Sequence, residues 1–411
     1  MTYTTIGYDE NTNYNPSLIA LASLYFIFGF ITCLNDILVP HLKTMFALNY
    51  AQAMLIQFSF FTAYFIMSMP SGTLVDRFGY KRGMVGGLGI AALGCLLFLP
   101  AAEFRSYPFF LLALFVLATG ITLLQVAANP FVALLGSPGT ASARLTLTQG
   151  FNSLGTTVAP LFGALVILSR SAAAGSSPEA QRLAEAASVQ GPYLGLAAAL
   201  LLLAGMTARF RFPQVASAPA TGKAAWRTLR DHPRLLLGAV GIFAYVGAEV
   251  GIGSFLVNYL SQPEIGGISQ AAAARYVALY WGGAMVGRFM GAAVMRVVAP
   301  ARVLVFNASL AMALVLLAIC SWGRLSMGAI LAVGFFNSIL FPTTFTLALK
   351  GLDNQLGQAS GLLCMAVVGG ALVPLFQGLA ADVWGIRVAF LLPVLCYAYL
   401  VFYGAKGHLR A

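Results

Sequence analysis

The chain has 411 residues, of which 60% are hydrophobic and only 9% are charged, and its net charge is +11. A soluble domain carries about 25% charged residues, so a water-coated globule is excluded, and the mean hydropathy of +0.86 assigns most of the surface to lipid. The basic residues lie in short loops between apolar runs, which is a topology signal and not a nucleic-acid face.

In chain order, residues 1–16 are polar and include Asp9 and Glu10. They lack the charged leader, short apolar core and small-residue cleavage site of a signal peptide. A cytoplasmic tail is expected there. Apolar segments of spanning length, about 20 residues or more, follow at 17–43, 52–75, 83–102, 108–136, 144–169, 190–212, 235–261, 271–297, 302–322, 326–349, 357–381 and 386–405. Asp76–Arg82, Ser137-Pro138-Gly139 and Pro300 mark breaks between them. The expected fold is an all-α membrane protein with twelve transmembrane helices in two six-helix bundles, 17–212 and 235–411. The joining stretch, 213–234, carries Lys223, Arg227, Arg230, Asp231, His232 and Arg234 and reads as a linker. Lys and Arg are in excess on the side of Arg77, Lys81, Arg82, Arg144, Arg209, Arg211, the linker, Arg296, Arg302, Lys350, Lys406 and Arg410. The opposite side holds fewer: Lys43, Arg105, Arg170, Arg182, Arg275, Arg324 and Arg387. The positive-inside rule therefore places both termini in the cytoplasm. The five cysteines each fall in an apolar run without metal or disulfide spacing and read as small buried hydrophobes.

An internal repeat supports the two bundles. Gly72-x-x-x-Asp76-Arg77-x-Gly79-x-Lys81-Arg82 follows the second span. Arg288-Phe289-x-Gly291-x-x-x-Met295-Arg296, with Arg302 further on, follows the eighth, and Met295 stands where Asp76 would be. Paired halves of this kind build many transporters. In the first copy glycine admits a close neighbour, and the aspartate is suited to cap a helix N-terminus or to pair with an arginine. Gly72, Asp76, Arg77, Gly79, Lys81, Arg82 and Arg288 are thus candidates for a conformational latch.

Several strings carry a family resemblance. They are Leu34-Asn35-Asp36-Ile37-Leu38-Val39-Pro40-His41-Leu42, Gln125-Val126-Ala127-Ala128-Asn129-Pro130-Phe131, Gln149-Gly150-Phe151-Asn152-Ser153-Leu154-Gly155, Tyr245-Val246-Gly247-Ala248-Glu249 and Phe341-Pro342. With them the chain resembles the major facilitator superfamily and, within it, the fucose–galactose–glucose:proton symporter family. The resemblance implies two bundles in a V, alternating access, and uptake of sugar driven by a cation gradient across a bacterial inner membrane. In fucose-type members, an Asp at the position of Asp36 and a Glu at that of Gln125 are linked to protonation. Gln125 cannot titrate, so a relay between those two sites is not implied here. The glucose/galactose type is the more similar.

Of the twelve carboxylates, ten fall in the tail, loops or helix ends, and Asp36 and Glu249 lie within spans. An acid at mid-membrane costs about 2.5–3.5 kcal/mol on insertion scales and is functional by default. Both are assigned to ion coupling, although Asp36 precedes Pro40 near a span end and Glu249 has the small neighbours of a packing site. Glu249 is open to a proton or to sugar hydroxyls. Sugar recognition needs groups that both donate and accept, which amides supply. The candidates are Asn35, Gln57, Gln125, Asn129, Gln149, Asn152, Asn258 and Asn337. Gln125/Asn129 and Gln149/Asn152 each share one helix face. Tyr280 and Trp281 are the candidate stacking platform, with Phe28 and Phe341 weaker. Arg and Lys are nearly absent from mid-span, so the expected substrate is uncharged. No nucleotide-binding glycine loop or metal spacing is present, and no cofactor beyond a coupling ion, H⁺ or Na⁺, is expected. The partners expected are a neutral sugar and the bilayer, with the chain a monomer. The sequence leaves open an uncoupled facilitator or a drug-type exporter of the same fold; a membrane-embedded enzyme would need a catalytic cluster that is not seen.

Overall fold

The computed structural model describes residues 13–45, 50–104, 106–163, 178–213, 232–352 and 356–409. The helices are α1 (Asn15–Met45), α2 (Tyr50–Phe78), α3 (Tyr80–Glu103), α4 (Tyr107–Leu134), α5 (Ala141–Gly163), α6 (Pro178–Arg209), α7 (Pro233–Leu260), α8 (Gln270–Val294) and α9 (Pro300–Cys320). Three spans with internal breaks follow: α10 (Gly323–Leu349), α11 (Leu356–Trp384) and α12 (Ile386–Leu409). The linker core, 214–231, and the tail, 1–12, lie outside the described residues.

Local chemistry sets the ends. Proline opens α7 and α9, where its missing N–H is an orphan in any helix and its fixed φ suits the first turn. Gly79 alone separates α2 from α3 at φ +85°, a left-handed conformation that L side chains rarely adopt, and this explains its place in the loop motif. Arg144 closes the other end of α4: its guanidinium donates to the carbonyls of Val132 (3.2 Å), Ala133 (2.6 Å) and Ser137 (2.8 Å).

Among the described residues ten helices are long and apolar enough to cross a membrane, and α1 adds the shorter apolar stretch Asn15–Ile31. The expected fifth span, 144–169, runs past the described side chains of α5, which end at Ala159. It carries Thr146, Thr148, Gln149, Asn152 and Ser153, all buried, because α5 is enclosed between α1 of its own bundle and α8 and α10 of the other.

Helices α1–α6 and α7–α12 form the two bundles. Small residues let helices approach within them: Gly155 of α5 lies against the Phe26 carbonyl of α1, and Gly94 of α3 against the Leu117 backbone of α4. The bundles meet along two seams at the end bearing Arg77, Arg144, Arg234 and Lys350. One seam is α11 against α2 and α4; the other is α5 against α8 and α10. They occupy matching places in the internal repeat.

Candidate functional site

At the first seam the loop motif makes a cap across the bundles. The Asp76 carboxylate accepts from the backbone N–H groups of Gly357 (2.8 Å) and Gln358 (3.0 Å), the first turn of α11, and is 6% exposed. A carboxylate at a helix N-terminus satisfies orphan donors and meets the positive end of the dipole. Gly72, one turn earlier, lies against the Gly357 and Gln358 backbone, and Gly361 against the Ser68 carbonyl, so a side chain at any of these glycines would hold the helices apart. Pro130 deprives the Val126 carbonyl of its helical donor, and the Ser360 hydroxyl takes that carbonyl at 2.9 Å. The other motif residues are at the surface: Arg77 covers the ring of Phe78 at 5.3 Å, and Arg82 is exposed. Lys81 is partly exposed.

The second seam uses side chains. Ser142 and Thr346 share a hydrogen bond of 2.6 Å near its base. Further along, Gly150 and Phe151 pack on Phe289, Arg288 donates to the Ser153 hydroxyl, and the Thr157 hydroxyl contacts Met285 sulfur at 3.5 Å. Beyond that level Thr157 and Val158 are exposed, as is Trp281, one turn from Met285 on the same face of α8. Trp281, the proposed stacking platform, is 40% exposed and lies on Gly253 of α7, which has no side chain in its way.

Arg288 joins this seam to the intramembrane acid. Its guanidinium is 3.7 Å from Glu249 Oε1, with side chains 14% and 13% exposed. Its Nε donates to the Ser338 carbonyl at 3.4 Å. That carbonyl is free because residue 342 is proline, which also breaks α10 at Ser338–Ile339. One arginine therefore touches α7, α10 and, through Ser153, the opposite bundle. Among the described residues Glu249–Arg288 is the only ion pair.

Behind Glu249, Asn337 donates to Tyr280 Oη (2.8 Å) and accepts from Tyr397 Oη (2.7 Å), and all three side chains are fully buried. Asn337 and Tyr280, expected to meet a ligand directly, bond each other in this structure. Their polar groups are committed to each other inside one bundle, and they bear on the site as the wall behind Glu249. Asn258 is exposed near the end of α7.

In the other bundle Tyr25 organises the amides. Its hydroxyl donates to Asn129 Oδ1, and its carbonyl accepts from Asn152 Nδ2 at 3.1 Å. Asn129 Nδ2 is buried beside the Cys364 thiol, with no oxygen or nitrogen acceptor among the described residues. Gln149 is buried one turn from Asn152, and Gln125, one turn from Asn129, borders a cavity of ≈ 10 Å³ with Tyr25 and Phe28. The space suits about one water. Asn35, Asp36 and Gln57 belong by backbone to α1 and α2, and their side chains lie outside the described residues. Sequence reasoning passed over Tyr25, Tyr397 and Ser153. Tyrosine and serine are too common in spans for the residue type alone to single them out.

Twelve helices in two matched bundles, held at one end by seams that reach a buried acid–arginine pair, define a membrane transporter. Residues 21–367 match the Major Facilitator Superfamily, and the chain belongs to that family. A glucose/galactose transporter of Brucella abortus is 55% identical over 96% of this chain and 95% of its own length. The L-fucose-proton symporter of Escherichia coli is 35% identical, covering 95% and 93%. A crystal structure of a Major Facilitator Superfamily transporter, FucP, in the outward conformation superposes with a TM-score of 0.89 at 34% identity, over 96% of this chain and 99% of that one.

Proposed function

We propose that this chain imports a neutral hexose of the glucose/galactose kind by cation symport, with H⁺ as the coupling ion, through alternating access. The reading is supported by one buried acid–arginine pair in one bundle and two amide-bearing helices in the other, with Thr157, Val158 and Trp281 exposed beyond the contacts of the second seam. The relative named as a glucose/galactose transporter, alike along nearly the whole chain, favours the same substrate class.

In this reading the structure is the outward-facing state, with the basic end in the cytoplasm of a bacterial inner membrane. Sugar enters between α5 and α8 and stacks on Trp281. Gln125, Asn129, Gln149 and Asn152 exchange hydrogen bonds with its hydroxyls, and the spare donor of Asn129 is available for one of them. Asn35 and Gln57 belong to the same set by sequence. Asp36 takes the proton. Glu249 acts through Arg288: a ligand or proton that draws on the Glu249 carboxylate changes the balance of an arginine that also holds Ser153 across the seam. Release of that contact and of the Asp76 cap opens the cytoplasmic end. Arg77, Lys81 and Arg82 fix orientation, and Gly79 makes the turn that presents Asp76.

The test is uptake of labelled glucose and galactose into proteoliposomes under separately imposed proton and sodium gradients. Concentrative uptake under the proton gradient, lost in Asp36→Asn, is expected. Equilibration to the external level under every gradient would leave an uncoupled facilitator. No uptake of any monosaccharide would remove the sugar.

A further inference from the structure

The second copy of the loop motif has a different fate from the first. Met295, in the place of Asp76, is buried and takes a contact from the Thr343 hydroxyl at 3.4 Å instead of capping a helix. Two of its arginines, Arg296 and Arg302, are exposed and without an acid among the described residues, whose one ion pair is that of Arg288. Arg302 stands at the lip of a groove of ≈ 380 Å³ between α8, α9 and α10. The groove is apolar along Met290, Val294 and Phe306, all exposed on the lipid-facing side, and Gly291 keeps its floor low. Its back wall is the break of α10 at Ser338–Ile339.

We propose that this groove binds an anionic phospholipid, with an acyl chain lying along Met290, Val294 and Phe306 and the phosphate on Arg302. Hydrocarbon fills such a groove without desolvating polar groups. An uncompensated guanidinium at the membrane surface pairs with phosphate in fork geometry. A zwitterionic headgroup brings its own ammonium beside that arginine, so the anionic lipid is selected. The inference is independent of what the transporter carries.

The full chain, purified in detergent, is titrated with phosphatidylglycerol or with phosphatidylcholine of the same acyl chains, and thermal unfolding is followed. Phosphatidylglycerol is expected to act at the lower concentration. Arg302→Gln, a surface change, should weaken its apparent affinity about fivefold, the effect of one basic residue near an anionic surface, and leave phosphatidylcholine unaltered. Val294→Trp should weaken both lipids; if that variant is not monodisperse, Met290→Trp takes its place. Equal response to the two lipids, or an Arg302→Gln titration that overlays the wild type, overturns the proposal. So does light scattering that shows the groove buried between two copies of the chain.

Discussion

The two seams occupy matching positions in the repeat and are built in opposite ways. Between α2 and α11, backbone meets backbone across Gly72, Gly357 and Gly361, and a single carboxylate caps a helix of the other bundle. Between α5 and α8, side chains meet, and the central one is an arginine already bonded to Glu249. Each seam also uses a carbonyl released by proline, Val126 in the first and Ser338 in the second. The first seam therefore makes no contact with the intramembrane acids described here, whereas the second is bonded to one of them through Arg288. On the proposed mechanism the first seam locks and the second senses, and the exchange of Asp76 for Met295 is where the two copies of the motif part.

This division can be broken at four points, one read through thermal stability and three through alkylation of Cys364. That thiol is fully buried in α11 and becomes reachable only as the first seam opens, so the other four cysteines are replaced by alanine. The largest effect belongs to Arg288→Gln. It leaves Glu249 buried without its counter-ion, a loss of about 3–5 kcal/mol, seen as a fall in thermal stability that Glu249→Gln in the same chain should largely restore. Gly72→Leu comes next. It forces α2 from the α11 backbone at an overpacking penalty of about 1–3 kcal/mol, and Cys364 should alkylate at least tenfold faster without sugar. Asp76→Ala removes two charge-assisted bonds, each worth about 1.5–3 kcal/mol less the desolvation the buried carboxylate no longer bears, and should give a similar acceleration. Ser142→Ala is smallest, about 1 kcal/mol for one neutral bond, and should accelerate the reaction roughly fivefold at most.

Much of this was legible in the sequence, for specific reasons. Spans report on lipid exposure, so helices bathed in lipid announce themselves by composition. α5 was read as a span too, although Thr146, Gln149 and Asn152 are buried against protein. The motif revealed that Asp76 would cap or pair, since the glycine–aspartate spacing has that logic by itself. Its partner could not be read, because Gly357 lies 281 residues away in the chain. The same holds for Arg288. A charge inside a span predicts a partner, but the choice among Glu249, Ser153 and Ser338 is made by packing. The partners of Asn337 could not be read either, because a buried amide looks the same in sequence whether it meets a ligand or, as here, two tyrosines. Pro130 and Pro342 stood in the strings that carried the resemblance, yet the use of the carbonyls they free depends on which donor approaches.

The account rests most on the link from the acid to the seam. The direct measurement is the distance between spin labels at Arg82 and Lys350, on opposite bundles at the basic end, in a cysteine-free chain with and without hexose under a proton gradient. The account predicts that sugar widens this distance in the parent chain, that Glu249→Gln abolishes the response, and that Asp76→Ala starts wide and hardly responds. Equal widening in the parent and in Glu249→Gln would show that the second seam opens without reference to Glu249, and would contradict it.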